Sequence, residues 1–212
     1  MGKVKRSTDE RASRRRLGKY YTPSWAVDYI VKHTLGPTLE ENVDRPLGEV
    51  TVLDPACGDG AFLLGALRFL ANAVTFEEGQ ERRLTLRSLV DSIHGVDVDP
   101  EAVSSCRKKL TKSAIELLGF PADFTNRILL GDSLIEEDDD AIEVFGEGLP
   151  ERHPLVWQRV YPWVIRDGGF DVIIGNPPFI GVKMMDSPLK EYLRRKYTTA
   201  HQQFDILVAF IE

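Results

Sequence analysis

The chain has 212 residues, 42% of them hydrophobic, a formal net charge of −6 and two cysteines. That length builds one α/β domain with a sizeable core and no full second domain; no apolar run reaches the roughly 20 residues of a membrane span, and the amino terminus is basic without the apolar stretch of a signal peptide. Cys57 and Cys106 are too few for a disulfide framework and lack metal-ligand spacing, so the expected setting is the reducing cytoplasm, with no membrane partner.

Charge is unevenly spread. Eight Lys or Arg in residues 1–19 against Asp9 and Glu10 give that segment +6, which leaves −12 on residues 20–212. A basic arm on an acidic body suits a segment that touches a polyanion, and equally a solvated, disordered tail. After it, Thr22 and Pro23 read as a helix N-cap and first helical residue. They predict a helix from Ser24 to about Leu35, with Trp25, Val27, Ile30, Val31 and Thr34 facing inward and Gly36-Pro37 as its stop.

Val50, Val52 and Leu53 then read as a strand, Asp54-Pro55-Ala56-Cys57-Gly58-Asp59-Gly60 as a tight loop and Ala61 to Val74 as a helix. This is the strand, glycine loop and helix of a nucleotide-type fold, whose glycines let a ligand approach the backbone. A phosphate-cradling loop would carry Lys, whereas this one carries Asp54 and Asp59. Two carboxylates argue for a ligand with positive groups, and S-adenosylmethionine, with ammonium and sulfonium centres, meets that requirement.

Leu84, Leu86, Leu89 and Val90 predict a helix within the polar stretch 77–92, and Ile93 to Asp99 a second strand. Asp97 stands where ribose-binding folds place an acceptor for both hydroxyls. Asp99 reads as the N-cap of a helix that begins at Pro100, buries Val103, Cys106, Leu110, Ala114 and Leu117, and closes at Gly119. Cys106 and His94 are read as packed rather than reactive.

Ile128 to Leu130 is a third strand, followed by Asp132, which suits either an adenine amino group or a turn cap. Five consecutive acids, Glu136 to Asp140, are expected to be solvated and away from nucleic acid. Ala141 to Arg166 has no clear period and reads as a packed excursion over the sheet, with Trp157, Tyr161 and Trp163 inside it. Phe170 to Ile174 has the β-branched content of a strand covered on both faces, ended by Asn176-Pro177-Pro178-Phe179. The Asn176 amide and the Pro177 carbonyl would converge beyond that strand's carboxyl end, where open α/β sheets bind ligands; taken alone, Asn-Pro-Pro more often marks a plain turn. Pro188 to Tyr197 predicts a short helix whose Lys190, Arg194, Arg195 and Lys196 suit phosphate contacts or a solvated face. Phe204 to Ile211 begins another apolar helix.

The ordered set resembles the amino-terminal catalytic part of the adenine-N6 DNA methyltransferases of the γ motif order, particularly those of type II restriction-modification systems. Lys19-Tyr20-Tyr21-Thr22-Pro23 resembles the family's motif X, Asp54 to Leu63 motif I, Gly95 to Pro100 motif II, Gly131 to Leu134 motif III, Asn176 to Phe179 motif IV and Phe204 to Glu212, with Asp205, Phe210 and Glu212, the start of motif V. The order is far more specific than any one motif, and an aromatic-Thr-Pro ahead of the glycine loop sets it apart from protein-glutamine and most RNA methyltransferases.

The resemblance implies a Rossmann-like S-adenosylmethionine-dependent methyltransferase fold: a mostly parallel sheet with helices on both faces, incomplete at the C-terminus. Residues 20–212 would be part of the catalytic domain, with later strands, a target-recognition domain and any endonuclease elsewhere in a parent chain. It further implies that Tyr21, Thr22 and Pro23 close over the methionine part of the cofactor and that Asp54, Ala56 and Gly58 line it. Asp97 and Val98 would hold the ribose, and Asp132, Ser133 and Phe210 would frame the adenine. Asn176, Pro177, Pro178 and Phe179 would be catalytic, acting on an adenine flipped out of double-stranded DNA. Asp59 departs from the small residue usual at its place, which leaves open a non-catalytic cofactor- or DNA-binding module; a methyltransferase acting on RNA or protein is the other alternative.

Overall fold

A computed structural model describes residues 22–74 and 79–212; the basic arm, Tyr20 and Tyr21 lie outside them. Helix α1 (Ser24–Glu41) leads into strand β1 (Val52–Asp54), followed by α2 (Ala61–Ala73), α3 (Gly79–Ser92), β2 (Ile93–Asp97), α4 (Pro100–Leu118) and β3 (Ile128–Leu130). The excursion holds α5 (Asp139–Phe145), α6 (Trp157–Val160) and α7 (Pro162–Arg166), and the chain continues through β4 (Val172–Ile173), α8 (Ser187–Lys196) and α9 (Leu207–Ile211).

The strands form one parallel sheet in the order β3-β2-β1-β4. Chain direction across the sheet therefore reverses between β1 and β4, and a crevice opens outside their carboxyl ends at such a reversal. Alternation along β1 explains how both faces are covered. Val52 joins a core with Val27 and Val31 of α1, Leu63 and Leu67 of α2, Leu89 of α3 and Leu110 of α4. Leu53 turns the other way, towards Val96 and Leu155, with Trp157, Val160 and Phe170 around them. The excursion is therefore a cover for the second face of the sheet, as its unassigned aromatics predicted. On that face His94 is buried among Tyr161, Trp163 and Phe170, whose ring centroids lie 5.1 to 5.3 Å away. A separate cluster joins Leu134 and Ile135 to Tyr192 and Leu193 of α8 and to Phe204, Ile206 and Ala209.

Several boundaries differ from expectation for identifiable reasons. Helix α1 runs through Pro37. Leu35 is fully buried and Leu39 packs on the same core, so tertiary burial on both sides outweighs the backbone bond the proline forfeits. Thr22 is not the N-cap: Pro23 holds that position without a side-chain cap, its carbonyl accepting from the Ala26 and Val27 amides. Trp25 leaves the inward stripe and is 72% exposed. The second strand stops at Asp97 and the last helix is confined to Leu207–Ile211.

The fourth strand is the largest departure. It is a two-residue edge strand, and Ile173 is 63% exposed instead of being covered on both sides. Only its β1 side is paired, through Val172 N–H to Thr51 O and Ile174 N–H to Leu53 O. Asp171 fixes its start, accepting from the Thr51 amide at 2.7 Å and from Arg45 at 2.5 Å.

Candidate active site

The crevice at the reversal is built by backbone geometry first. The Asp54 carboxylate caps its own turn by accepting from the Ala56 amide at 3.1 Å. Cys57 then docks the loop onto β2 through its amide and Val96 O, 2.9 Å apart. Gly58 and Gly60 both have positive φ, +53° and +91°, a region that L side chains avoid. At Gly60 a Cβ would also come within 2.6 Å of Cys106 Sγ, whereas at Gly58 it would meet nothing within 4 Å. The loop is thus pinned at one glycine and open at the other.

Asp97 reaches this loop from β2. One carboxylate oxygen accepts from the Gly58 amide at 2.8 Å and the other from the Asp99 amide at 2.9 Å. From β3, the Ser133 hydroxyl donates to Pro55 O at 2.6 Å, while Ser133 O accepts from the Trp157 indole at 3.3 Å. The loops after three strands are therefore tied into one rim, and Val98 stands on it half-exposed.

The fourth strand closes the constellation. A Cβ at Gly175 would lie 2.5 Å from Asp54 Oδ1, so only glycine lets the end of β4 press against that carboxylate. The next residue, Asn176, donates from Nδ2 to Thr22 Oγ1 at 3.3 Å. With its nitrogen turned to Thr22, the amide's oxygen is the atom left for the crevice. Pro177 and Pro178 are partly buried and Phe179 is 50% exposed. The segment beyond them is fixed by Asp205, which accepts from the Ile180 and Leu207 amides at 3.2 and 3.1 Å.

Electrostatics follow from burial. Asp54 is 1% exposed, and burial pushes its carboxyl up to about 7, with the neighbouring Asp97 charge adding to the rise and the Ala56 amide opposing it. Asp132, held by the Leu134 amide at 2.9 Å, is pushed up to about 6, again chiefly by burial. The Cys57 thiol is pushed far up by its hydrogen bond with Cys106, by burial and by the carboxylates around it, so it is a packed thiol and no nucleophile.

One expectation about this charge needs correction. Asp59 does not face the crevice with Asp54; it pairs with Lys109 of α4 at 2.5 Å on the surface. The two acids at the site are Asp54 and Asp97, and neither has a cation partner among the described residues. Asp59 also ceases to be a sign of a damaged site. Phe210, expected near Asp132, packs partly buried in the cluster that takes Leu134 and Ile135. Sequence reasoning gave no role to Gly175, whose only signal was a glycine between an apolar run and Asn176. Among the described residues no group of His, Cys, Asp and Glu is arranged to hold a metal ion.

Comparisons with known proteins bear on the family and the fold. A family model described as the Eco57I restriction-modification methylase matches residues 91–212. The chain is 28% identical to the adenine-specific methyltransferase PglX of Streptomyces coelicolor, covering 95% of this chain and 18% of that protein. It is also 28% identical to the type II methyltransferase M.BstVI of Geobacillus stearothermophilus (94% and 31% covered) and 27% identical to the type II restriction enzyme and methyltransferase RM.Eco57I of Escherichia coli (90% and 21%). The chain thus spans 18 to 31% of the length of these relatives. Among solved structures, the DrdV–DNA complex has a TM-score of 0.61 at 21% identity, covering 94% of this chain and 19% of that one. The type IIL enzyme MmeI in complex with DNA has a TM-score of 0.55 at 20% identity, covering 93% and 28%. At those identities the likeness is one of fold.

Proposed function

The chain belongs to the Eco57I restriction-modification methylase family, and from that premise we propose that its crevice transfers a methyl group from S-adenosylmethionine to the N6 amine of an adenine in DNA. The observation that carries the reading is the meeting of three segments: Gly175 against Asp54, and Asn176 bonded to Thr22.

The residues present fit the methyl donor. Asp54 and Asp97 are acids without a cation partner among the described residues, and Asp97, after accepting from the Gly58 and Asp99 amides, keeps lone pairs for a diol. Open space at Gly58 gives room beside them. Ala56, Val98, Asp132 and Ser133 on the rim and Phe210 in the cluster with Leu134 and Ile135 complete the described part of the set assigned to donor binding; Tyr21, assigned with them by the resemblance, lies outside the described residues. When bound, S-adenosylmethionine supplies an activated methyl on a sulfonium, so the leaving group needs no acid.

The chain's own residues must then deal with a poor nucleophile. The adenine amine shares its lone pair with the ring. The Asn176 oxygen and the Pro177 carbonyl are acceptors for its two hydrogens, which favours a more tetrahedral nitrogen with its pair available. Pro178 stiffens the turn that presents them. An adenine within a duplex must first leave the stack at a cost of a few kcal/mol, and the half-exposed Phe179 offers a stacking face worth roughly 1 to 3 kcal/mol. The related DrdV and MmeI structures are complexes with DNA, which supports DNA as the partner, here taken as the duplex. The non-catalytic alternative loses its residue-level support with the Asp59–Lys109 pair.

Because the relatives are several times longer, site-specific methylation is expected of a full-length protein that carries this chain, with residues 20–212 as part of its catalytic domain and target-recognition or nuclease regions outside it. The test joins calorimetric titration of S-adenosylmethionine to tritium transfer onto unmethylated duplex DNA. Asn176→Ala should lower transfer about a hundredfold or more, as removal of one oriented polar group does, while leaving donor affinity within about threefold. Equal turnover by that variant would sink the assignment.

A further inference from the structure

We infer that Thr22 is a positioning residue for Asn176: its hydroxyl holds the amide plane, with Nδ2 turned to Thr22 and the oxygen left for the target amine. This rests on the proposed methyl transfer and deepens it, since the resemblance assigns Thr22 to the methyl donor instead.

Two independent observations carry it. First, the hydroxyl is not used where its sequence position predicts. A Thr ahead of Pro23-Ser24 is a natural N-cap, yet the helix begins with Pro23 at the cap and no side-chain cap bond. Thr22 instead accepts from Asn176 Nδ2 at 3.3 Å across 154 residues of sequence. Second, Asn176 lies beyond the end of β4, where its neighbours in sequence offer it little. The residue before it is a glycine pressed on Asp54, and the residue after it is a proline with no N–H.

The chemistry makes the orientation matter. An Asn amide turned by half a revolution presents two donors where an acceptor is needed, and donors facing an amine's hydrogens repel them. A bond from Nδ2 to a hydroxyl on the opposite wall of the crevice holds the amide plane; the hydroxyl can also donate to the oxygen of the turned amide, so the plane is fixed by Thr22 and the face by the donors of the target amine. The bond also makes the segment before α1 a wall of the target-base site.

The test uses Thr22→Val and Thr22→Ser in the full-length protein for turnover, and the ¹⁵N-labelled 212-residue chain without methyl donor for the amide itself. Thr22→Val should lower kcat about tenfold, the scale of a misplaced reacting group, with donor Kd and the KM for DNA each within about threefold. Thr22→Ser should recover most of the loss. In the labelled chain the Asn176 side-chain NH2 should exchange with solvent faster in Thr22→Val and not in Thr22→Ser. A weakened donor Kd with unchanged kcat and unchanged Asn176 exchange would overturn the inference and return Thr22 to the donor. Normal kcat in Thr22→Val beside a crippled Asn176→Ala would sink this role alone. Full activity of Asn176→Ala would sink the methyl-transfer reading itself.

Discussion

Two clusters of acids in this molecule are handled in opposite ways. The run from Glu136 to Asp140, expected to be solvated, is met by cations: Lys196 bonds Glu136 at 2.9 Å and Asp138 at 2.7 Å, Arg159 bonds Glu137 at 3.0 Å, and Arg195 reaches Asp140 at 3.5 Å and Glu143 at 3.0 Å. Burial is the largest single effect on the Asp138 carboxyl and raises it, but the Lys196 bond and the Ala141 amide together bring it below its ordinary value. In the crevice, Asp54 has Asp97 for a neighbour and no cation among the described residues, and it rises to about 7. The acidic surplus of the chain is therefore two different things. One part is a clamp that holds the excursion to α8 and occupies Arg195 and Lys196, which the sequence offered as phosphate contacts. The other is a pair of carboxylates that no resident cation neutralises, a pattern typical of ligand sites.

Asp54→Asn should break the second pattern most visibly. It keeps the shape and an acceptor for the Ala56 amide but removes the charge, so affinity for S-adenosylmethionine should fall about a hundredfold, the scale of one charged hydrogen-bond partner. The fold should become more stable at pH 8, because a buried charge has gone. Unchanged affinity in calorimetry would mean that the carboxylate is structural.

Next in size is a proton linkage. If the donor binds the ionised carboxylate, binding below pH 7 must expel the Asp54 proton, and affinity should fall by up to about tenfold per pH unit below that point. Titrations in two buffers of different ionisation enthalpy would count the proton, and Asp54→Asn should abolish it. No such release is expected of the clamp. The stability due to the lowered Asp138 carboxyl is present above its unfolded value of 3.8 and is lost as pH falls further. That due to Lys196, raised first by Asp138, is present below 10.5 and is lost at higher pH. Between these limits the clamp is flat. Lys196→Ala should accordingly cost about 1 kcal/mol, as partly exposed networks do, with donor affinity untouched and the loss shrinking in high salt. A matching fall in donor affinity would merge the two regions.

What was legible in the sequence was what depends on local order. The strand, loop and helix around Asp54, the cap at Asp99 and the turn at Asn176 each announce themselves by residues a few positions apart. Apart from the exposed edge at Ile173 and the outward turn of Trp25, the expectations that failed depended on partners distant in sequence. Pro37 reads as a stop until Leu35 and Leu39 on either side of it are packed on the core. Asp59 reads as a site residue until Lys109, fifty positions on, takes it. The acids at 136–140 do lie at the surface, but their pairing was not legible because Arg195 and Lys196 lie more than fifty residues away. Thr22 reads as a cap because its acceptor role needs Asn176. Charge and hydroxyl partners carry no periodicity, and they were the least readable part of the candidate site.

The smallest effect at neutral pH separates the crevice from the sheet beneath it. His94, one strand away from Asp54, donates from Nε2 to Asp91 O at 2.9 Å, while its Nδ1 is buried without a partner among the described residues. Burial, aided by the Arg127 charge, depresses its pKa to about 4. Its sign is opposite to that of Asp54. Between roughly pH 4 and 6.5 the unfolded chain binds a proton that folded His94 refuses, so this residue removes stability as pH falls. Over nearly the same range folded Asp54 keeps a proton that the unfolded chain has lost, so it adds stability as pH falls and loses it as pH rises towards 7. The two nearly cancel, which hides both in the wild-type profile, and Asp132, raised to about 6 and of the same sign as Asp54, adds to the stability below that pH. His94→Phe suits the surrounding rings; at pH 7 it gives up one hydrogen bond and one unsatisfied nitrogen, a net change within about 1 kcal/mol. At pH 5, however, the Asp54 and Asp132 contributions, which have the same sign, should stand without that of His94, and denaturant melts should show stability rising by up to about 1.4 kcal/mol per unit of acidification for each carboxyl; an Asp132→Asn background isolates the Asp54 share. A double variant whose profile is flat would show that Asp54 does not titrate near 7, and the proton release expected on donor binding would go with it.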